Sequence, residues 1–406
     1  MSEIKVNSIK GVGASTAAIT VDNSSGSATA NLTTVNSVTM PNGGFLSNRN
    51  IIINGACNVA QRSLSSTSSG YQTVDRFKTN YSGLDNNPTQ AQVDVASGTT
   101  PYTQGFRKAI KITNGNQSSG AGAGDQASIS YIIEDQDLAT SGWNYLSATS
   151  YVTLSFWFKS SVNQTFYVVL ESKDGSSKQY SFAVTPTGAD TWTKVTHSIK
   201  GDSGLQFSND NGEGIEIYFL LFYGTNATTS GHTLNTWKAT SASDQAPDMT
   251  STWYTTNNAT WEMTAVQLEV GSVATDFEHR SFGQELSLCQ RYYYKTYDYA
   301  TAPATATFVG MQHGRNFSSS ARSSVPICLN FPVRMRAVPT LTWYAADGQS
   351  GKYSTGSTVG GTDLTTEKSV GTSIDESETG IYHANFSEDV PAANLYAYHV
   401  VASAEL

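Results

Sequence analysis

YVTLSFWFKSS at 151–161 sets the structural class of the chain. Val152, Leu154, Phe156 and Phe158 alternate with Thr153, Ser155 and Trp157, the period-two pattern of a strand with one buried face. Directly after it, TFYVVLESKDGSSKQYSFAV at 165–184 reads as two strands around the turn KDGSSK. Further along, TWTKVTHSIKG at 191–201 is another strand, GIEIYFLLFYG at 214–224 is a fully buried one, and ATWEMTAVQLEVG at 259–271 closes the series. Strands separated by turns, with few helical patterns, make an all-β sandwich or barrel.

The composition agrees. Of 406 residues only 14% are charged, against roughly 25% in ordinary soluble domains. Ser, Thr, Asn and Gly take their place, and these residues favour turns over helix interiors. The net charge is −9 with Lys and Arg scattered, so no basic stripe for nucleic acid is expected. The three cysteines, Cys57, Cys289 and Cys328, are far apart and form no CxxC pair. They read as reduced, buried thiols, not as a zinc site or a disulfide framework. MSEIKVNSIKGVGAS lacks the apolar core of a signal peptide, and no apolar run approaches the roughly 18 residues of a membrane span. The expected route outward is cell lysis or incorporation into a particle.

Three regions follow from the pattern. Residues 1–45 carry short, sparsely apolar pieces: Ile4, Val6 and Ile9, then Ile19 and Val21, then Leu32, Val35 and Val38. Such strands bury no core alone; they are expected to wrap identical copies into a threefold β stem, with a disordered leader as the alternative. Residues 46–282 form the sandwich, interrupted by a long polar loop at 224–258. Residues 283–406 open with a short helical stripe, Leu286, Cys289 and Tyr293, and continue as a smaller β-sandwich with strands in ATATFVGMQH, SVPICLNFP, TLTWYAAD and NLYAYHVVASAEL. Pro332 and Pro339 bracket an extended link.

Three segments carry a family resemblance. NRNIIINGACNVAQRS at 48–63, followed by VDRFK at 74–78, resembles the opening of carbohydrate-binding-type jelly rolls in phage tail proteins. VQLEVGSVATDFEHRSFGQELSLCQRYYYK at 266–295 resembles the closing strand and linking helix of bacteriophage tail-fibre, or receptor-binding, proteins. FPVRMRAVPTLTW at 331–343, with SAEL at 403–406, resembles the domain that follows. The resemblance implies a jelly roll with a terminal β domain in a trimeric virion appendage that adheres to host surface glycans or proteins. Related jelly rolls often hold a structural calcium near the first strand. Here Ala56-Cys57-Asn58 follow the N-G pair, Val59-Ala60 stand where an aromatic is common, and Phe77 replaces the usual Trp. The nearby acids are missing, so no metal and no cofactor are expected.

No constellation of catalytic residues stands out, and the chain is expected not to be an enzyme. The acidic runs Glu134-Asp135-Gln136-Asp137, Asp375-Glu376 with Glu378, and Glu388-Asp389 read as solvated loops, because a glycosidase needs two carboxyls facing each other across the scissile bond. His197, His232, His279, His313, His383 and His399 are dispersed, with His279 read as structural. A Ser-His-Asp arrangement is not legible in sequence, since its members need not be neighbours, and no GxSxG elbow exists. GAGAGD at 120–125 reads as a flexible loop.

Aromatics on polar loops are the candidate ligand contacts: Trp237, Trp253 and Tyr254 in the long loop, and Trp343, Tyr344, Tyr353 and Tyr382 in the last region. Arg291 and Tyr292-Tyr293-Tyr294 are expected to lock domains or subunits together. The resulting expectation is a phage tail-fibre protein, assembled in the host cytoplasm and carried on the virion. It would be joined to other tail proteins through residues 1–45 and would bind a host glycan or surface protein as a homotrimer. The rival readings are a glycan depolymerase tailspike and a purely structural tail or neck appendage.

Overall fold

A computed structural model describes residues 48–357, 364, 366–371 and 373–406, with the short strands at 8–9, 19–21 and 28–30. By contacts the chain resolves into two compact units, Met1–Leu46 and Ser47–Leu406. In the first, Ser8–Ile9, Ile19–Val21 and Ala28–Ala30 pair antiparallel in that order. Ile4, Val6, Leu32, Val35 and Val38 lie outside the described residues, and so does the rest of the expected stem.

The larger unit is all-β and antiparallel. One six-stranded sheet runs Lys238–Ala239, Lys178–Val184, Phe166–Ser172, Glu213–Tyr223, Gln126–Glu134, Phe77–Ser82. The other runs Thr193–Lys200, Tyr151–Ser160, Thr260–Val270, Lys108–Thr113, Thr89–Asp94, Ser65–Ser66. Val152, Leu154, Phe156 and Phe158 enter the core between them, meeting Phe166, Val168, Leu170, Ile217 and Phe219 from the facing sheet. The expected hairpin around KDGSSK forms, with Phe166 opposite Val184 and Glu171 opposite Gln179. Period-two alternation in 151–160 therefore sets which face enters the core, while Thr153, Ser155 and Trp157 on the other face are buried as well.

The smaller sandwich follows the helix Phe282–Gln290, whose N-cap Ser281 accepts the Gln284 amide hydrogen. Leu395–Ser403 is its hub, pairing with Tyr293–Lys295, Gln312–Arg315, Thr340–Tyr344 and Lys352–Gly356. A second sheet, Arg322–Asn330, Gly380–Val390 and Ser373–Ser377, packs Val325, Ile327, Leu329 and Phe386 against Trp343, Tyr353 and Tyr396. The expected ATATFVGMQH strand does not form over residues 304–311; the strand here is Gln312–Arg315, which shares only Gln312 and His313 with that segment. Gly310, at φ +86°, turns the chain against the Thr296 carbonyl, 2.4 Å from where a β-carbon would stand.

The N-G pair, Asn54 and Gly55, fixes the backbone here. Asn54 binds Val59 through both its amide and its carbonyl, and also donates to the Asp75 carbonyl at 2.9 Å. Gly55 lies against the last strand of the sandwich: a β-carbon there would stand 1.9 Å from the Val266 carbonyl oxygen. That contact explains the N-G pair.

The two sandwiches share a charged seam. Arg76 is fully buried, paired with Glu405 and stacked on Tyr292 at 3.5 Å. Arg62 pairs with the same Glu405 at 2.9 Å, faces Asp75 at 3.4 Å and stacks on Tyr293 at 3.6 Å. Arg291 binds Glu134 through two hydrogen bonds of 2.9 and 2.8 Å. The arginine–tyrosine run locks one sandwich to the other, as its composition suggests.

Cys57 and Cys289 are buried free thiols, whereas Cys328 is exposed. The expectation of three buried thiols is corrected at Cys328 because Arg322–Asn330 alternates and places it on the solvent side. Burial pushes Cys57 up to about 12 and raises Cys289 as well. Native protein is therefore expected to titrate one thiol with an aromatic disulfide reagent and three after denaturation; three fast thiols in the native state would contradict this packing.

His399 is fully buried, stacked on Tyr297 at 3.7 Å. Burial lowers its pKa to about 4. The unfolded chain then binds the extra proton first, so stability is complete above pH 6.5 and is lost as pH falls toward 4. Urea midpoints are expected to fall across that window and to flatten in His399→Gln; equal slopes in both proteins would refute the assignment.

Candidate functional site

The return segment after Val270 builds a cleft. Gln267 and Glu269 are buried on the outer face of the second sheet, beside the register shift between Thr264 and Gln267. Gln267 accepts the Glu278 amide hydrogen at 2.8 Å, and Glu269 accepts those of the Thr275 amide and hydroxyl at 2.8 and 2.6 Å. Glu278 accepts the Asn50 amide at 2.7 Å, and Arg280 donates to the Ile52 and Asn50 carbonyls. Phe277 and His279, next to the clamping residues Glu278 and Arg280, turn to the cleft side. Phe277 and His279 thereby meet Phe106, with ring centroids 5.0 Å away in each case.

Between this segment and the sheet lies a cleft of about 340 Å³, lined by Trp157, Ser155, Lys194, Gln104, Thr275, Asp276, Phe277 and His279 among others. Trp157 lies opposite Lys194 in the sheet register and retains 9% exposure. Its indole N–H donates to Gln104 Oε1 at 3.0 Å. The Gln104 carbonyl lies 3.1 Å from His279 Nε2. Gly105, at φ +98°, lets the His279 ring approach; a β-carbon would stand 3.2 Å from it. The cleft combines aromatic walls with exposed Lys194, Asp276 and His279 at its rim. Such a mixture suits a ligand with apolar C–H faces and many hydroxyls. His279, expected to be structural, lines the opening.

The aromatics singled out on loops lie elsewhere, most of them in the core. Trp253 is fully buried, its N–H donating to the Thr260 carbonyl at 3.1 Å. Tyr254 stacks on Phe222 at 4.4 Å and donates to Asp125 at 2.9 Å. Trp237 is 7% exposed and donates to the Lys200 carbonyl at 2.8 Å. Trp343 packs on Tyr398, and Tyr353 stacks on Phe386 at 3.9 Å. Tyr344 is half-buried beside Tyr297. Tyr382 alone of the seven is largely exposed, at 48%. The long loop tucks back because large rings gain more from burial than a polar loop loses. Asp125 also caps the Gly122 amide at 2.6 Å, which ties GAGAGD to Tyr254.

A Ser-His-Asp arrangement does form. Ser181 Oγ lies 2.5 Å from His232 Nε2, and His232 Nδ1 lies 2.7 Å from Asp244. Lys238 also donates to Asp244 at 2.6 Å. Ser181 is only 1% exposed, and its hydroxyl faces a buried imidazole with no access for an ester or amide. The group pins the 228–246 loop onto the first sheet. The acidic runs divide as well. Glu134 and Asp135 are buried, which corrects the solvated-loop reading, because Glu134 ends an interior strand and Asp135 opens the short helix Asp135–Ala139 that follows it. Among the described residues no three His, Cys, Asp or Glu side chains stand together as a metal cluster.

No protein-family model and no curated relative matches the sequence. Solved structures do. The enzymatically active domain of tailspike protein 4 of bacteriophage CBA120 aligns at 12% identity over 55% of this chain, with a TM-score of 0.30. This chain spans only 21% of that protein's length. The N-terminal cellulose-binding domain of Cellulomonas fimi β-1,4-glucanase C aligns at 10% identity and TM-score 0.25 over 53% of this chain and 99% of its own. The family 11 carbohydrate-binding module from Clostridium thermocellum aligns at 9% identity and TM-score 0.25 over 53% of this chain and 98% of its own. Similarity at this level carries no statement about function.

Proposed function

We propose that this chain is a non-enzymatic adhesion component of a phage tail fibre that binds surface glycan in the cleft over Trp157. The observation that carries the reading is the cleft itself: an aromatic floor and wall, Trp157 with Phe277 and His279, rimmed by exposed Lys194 and Asp276. At about 340 Å³ it is at the small end of ligand pockets, so each site is weak. Three chains on one appendage would convert weak sites into firm attachment through effective concentration. The tail-fibre assignment draws on the 266–295 motif. Virion location, attachment through residues 1–45 and the homotrimer belong to this proposal.

The test pairs a host-polysaccharide array with wild type and the rim variant Lys194→Ala/Asp276→Ala. Wild type binds, and the variant loses at least tenfold in affinity. Wild type that binds no host glycan and does not block infection would favour the purely structural appendage. Release of reducing ends from bound polysaccharide would favour the depolymerase.

A further inference from the structure

The first sheet carries a second feature, built from none of the residues that line the cleft. Asp135 follows directly on the strand Gln126–Glu134, and Asp174 lies in the turn of the hairpin that joins Phe166–Ser172 to Lys178–Val184. The 208–212 loop holds both. Ser208 N–H donates to Asp174 at 2.8 Å, and the next two amides, Asn209 and Asp210, donate to Asp135 Oδ2. The loop is itself fixed, since Asp135 and Gln136 amides donate to the Gly212 and Asp210 carbonyls at 3.0 and 2.9 Å.

Consecutive amides of one loop thus hold the two carboxylates as neighbours. Asp135 is fully buried, and its second oxygen, Oδ1, has no hydrogen-bond partner. Among the described residues neither Asp135, Asp174 nor the neighbouring Asp210 has a basic partner, whereas the adjacent Glu134 is matched by Arg291. A buried carboxylate oxygen with no partner, on a loop that also holds a second carboxylate, is unfavourable unless something positive satisfies it. The donor set is oxygen only, with backbone carbonyls and water able to complete it, which selects a hard divalent cation over zinc or copper.

We propose that Asp135 and Asp174 bind a divalent cation of the calcium class that ties the hairpin turn, the end of the Gln126–Glu134 strand and the 208–212 loop together. The site is separate from the glycan reading and is tested without any glycan. Full-length protein stripped with a chelator is melted alone, with calcium chloride and with magnesium chloride, and calcium is titrated calorimetrically. Calcium is expected to raise the wild-type midpoint by about 3 °C or more, with one ion bound per chain. Asp135→Asn and Asp174→Asn are expected to lose the shift and the heat. Should Asp135→Asn fail to fold, Asp174→Asn, a half-buried turn residue, carries the comparison. Two results overturn the proposal: no response of wild type to either ion, or an equal response in wild type and Asp174→Asn. Stabilisation on acidification with no response to calcium would assign the contact to a shared proton.

Discussion

Glu405→Gln is expected to destabilise the Ser47–Leu406 unit by about 3 kcal/mol. Glu405 is the shared counter-ion of two guanidiniums, Arg62 and Arg76, and Arg76 is fully sealed from solvent. The amide keeps the shape but removes the charge, so Arg76 remains buried with its π contacts to Tyr292 and Tyr131 and its hydrogen bond to the Ile132 carbonyl. These do not replace a carboxylate in a water-free seam. Arg62 keeps Asp75 at 3.4 Å, so the loss falls mainly on Arg76. Urea unfolding of wild type and variant measures the difference. A change under about 1 kcal/mol would mean that water reaches the seam and screens the pair. Replacing Arg76 and Glu405 together by Met and Leu is expected to recover part of the loss, because no unpaired charge is then left behind.

Gly55→Ala is expected to cost about 3 kcal/mol or to abolish soluble expression. The contact is with backbone, the Val266 carbonyl, and Val266 in turn donates its amide hydrogen to the Gly55 carbonyl at 2.9 Å. Neither side has a flexible end that can move. Gly283→Ala is the control: it lies in the helix Phe282–Gln290 with open space around its missing β-carbon, and is expected to be neutral or stabilising by up to about 1 kcal/mol. Equal melting points for the two variants would contradict the close approach of the two strands.

Much of the fold was legible because alternation reports which face of a strand is buried. The strands at 151–160, 166–172, 178–184 and 213–223 lie where their patterns place them. The cleft was half legible. Trp157 falls on the polar face of its strand, beside Thr153 and Ser155, and a large ring on an outward face is a signal of function. Trp253 and Tyr254 show why loop aromatics mislead: composition marks a loop as polar but does not say whether it folds back over an open sandwich end. His279 is read as structural from its motif, and only the structure shows that it and Phe277 line the cleft while Glu278 and Arg280 clamp the backbone. The Ser181–His232–Asp244 group was illegible because its members are brought together by sheet pairing and a long loop. Asp135 and Asp174 meet for the same reason.

The account's central claim is that the cleft over Trp157 is the adhesive surface. The most direct measurement is binding of the purified protein to host-cell polysaccharide, compared between wild type and Lys194→Ala/Asp276→Ala at matched melting temperature and oligomeric mass. The account predicts saturable binding by wild type and at least a tenfold loss in the variant. Saturable binding that is unchanged in the variant would place the adhesive surface elsewhere and contradict the account.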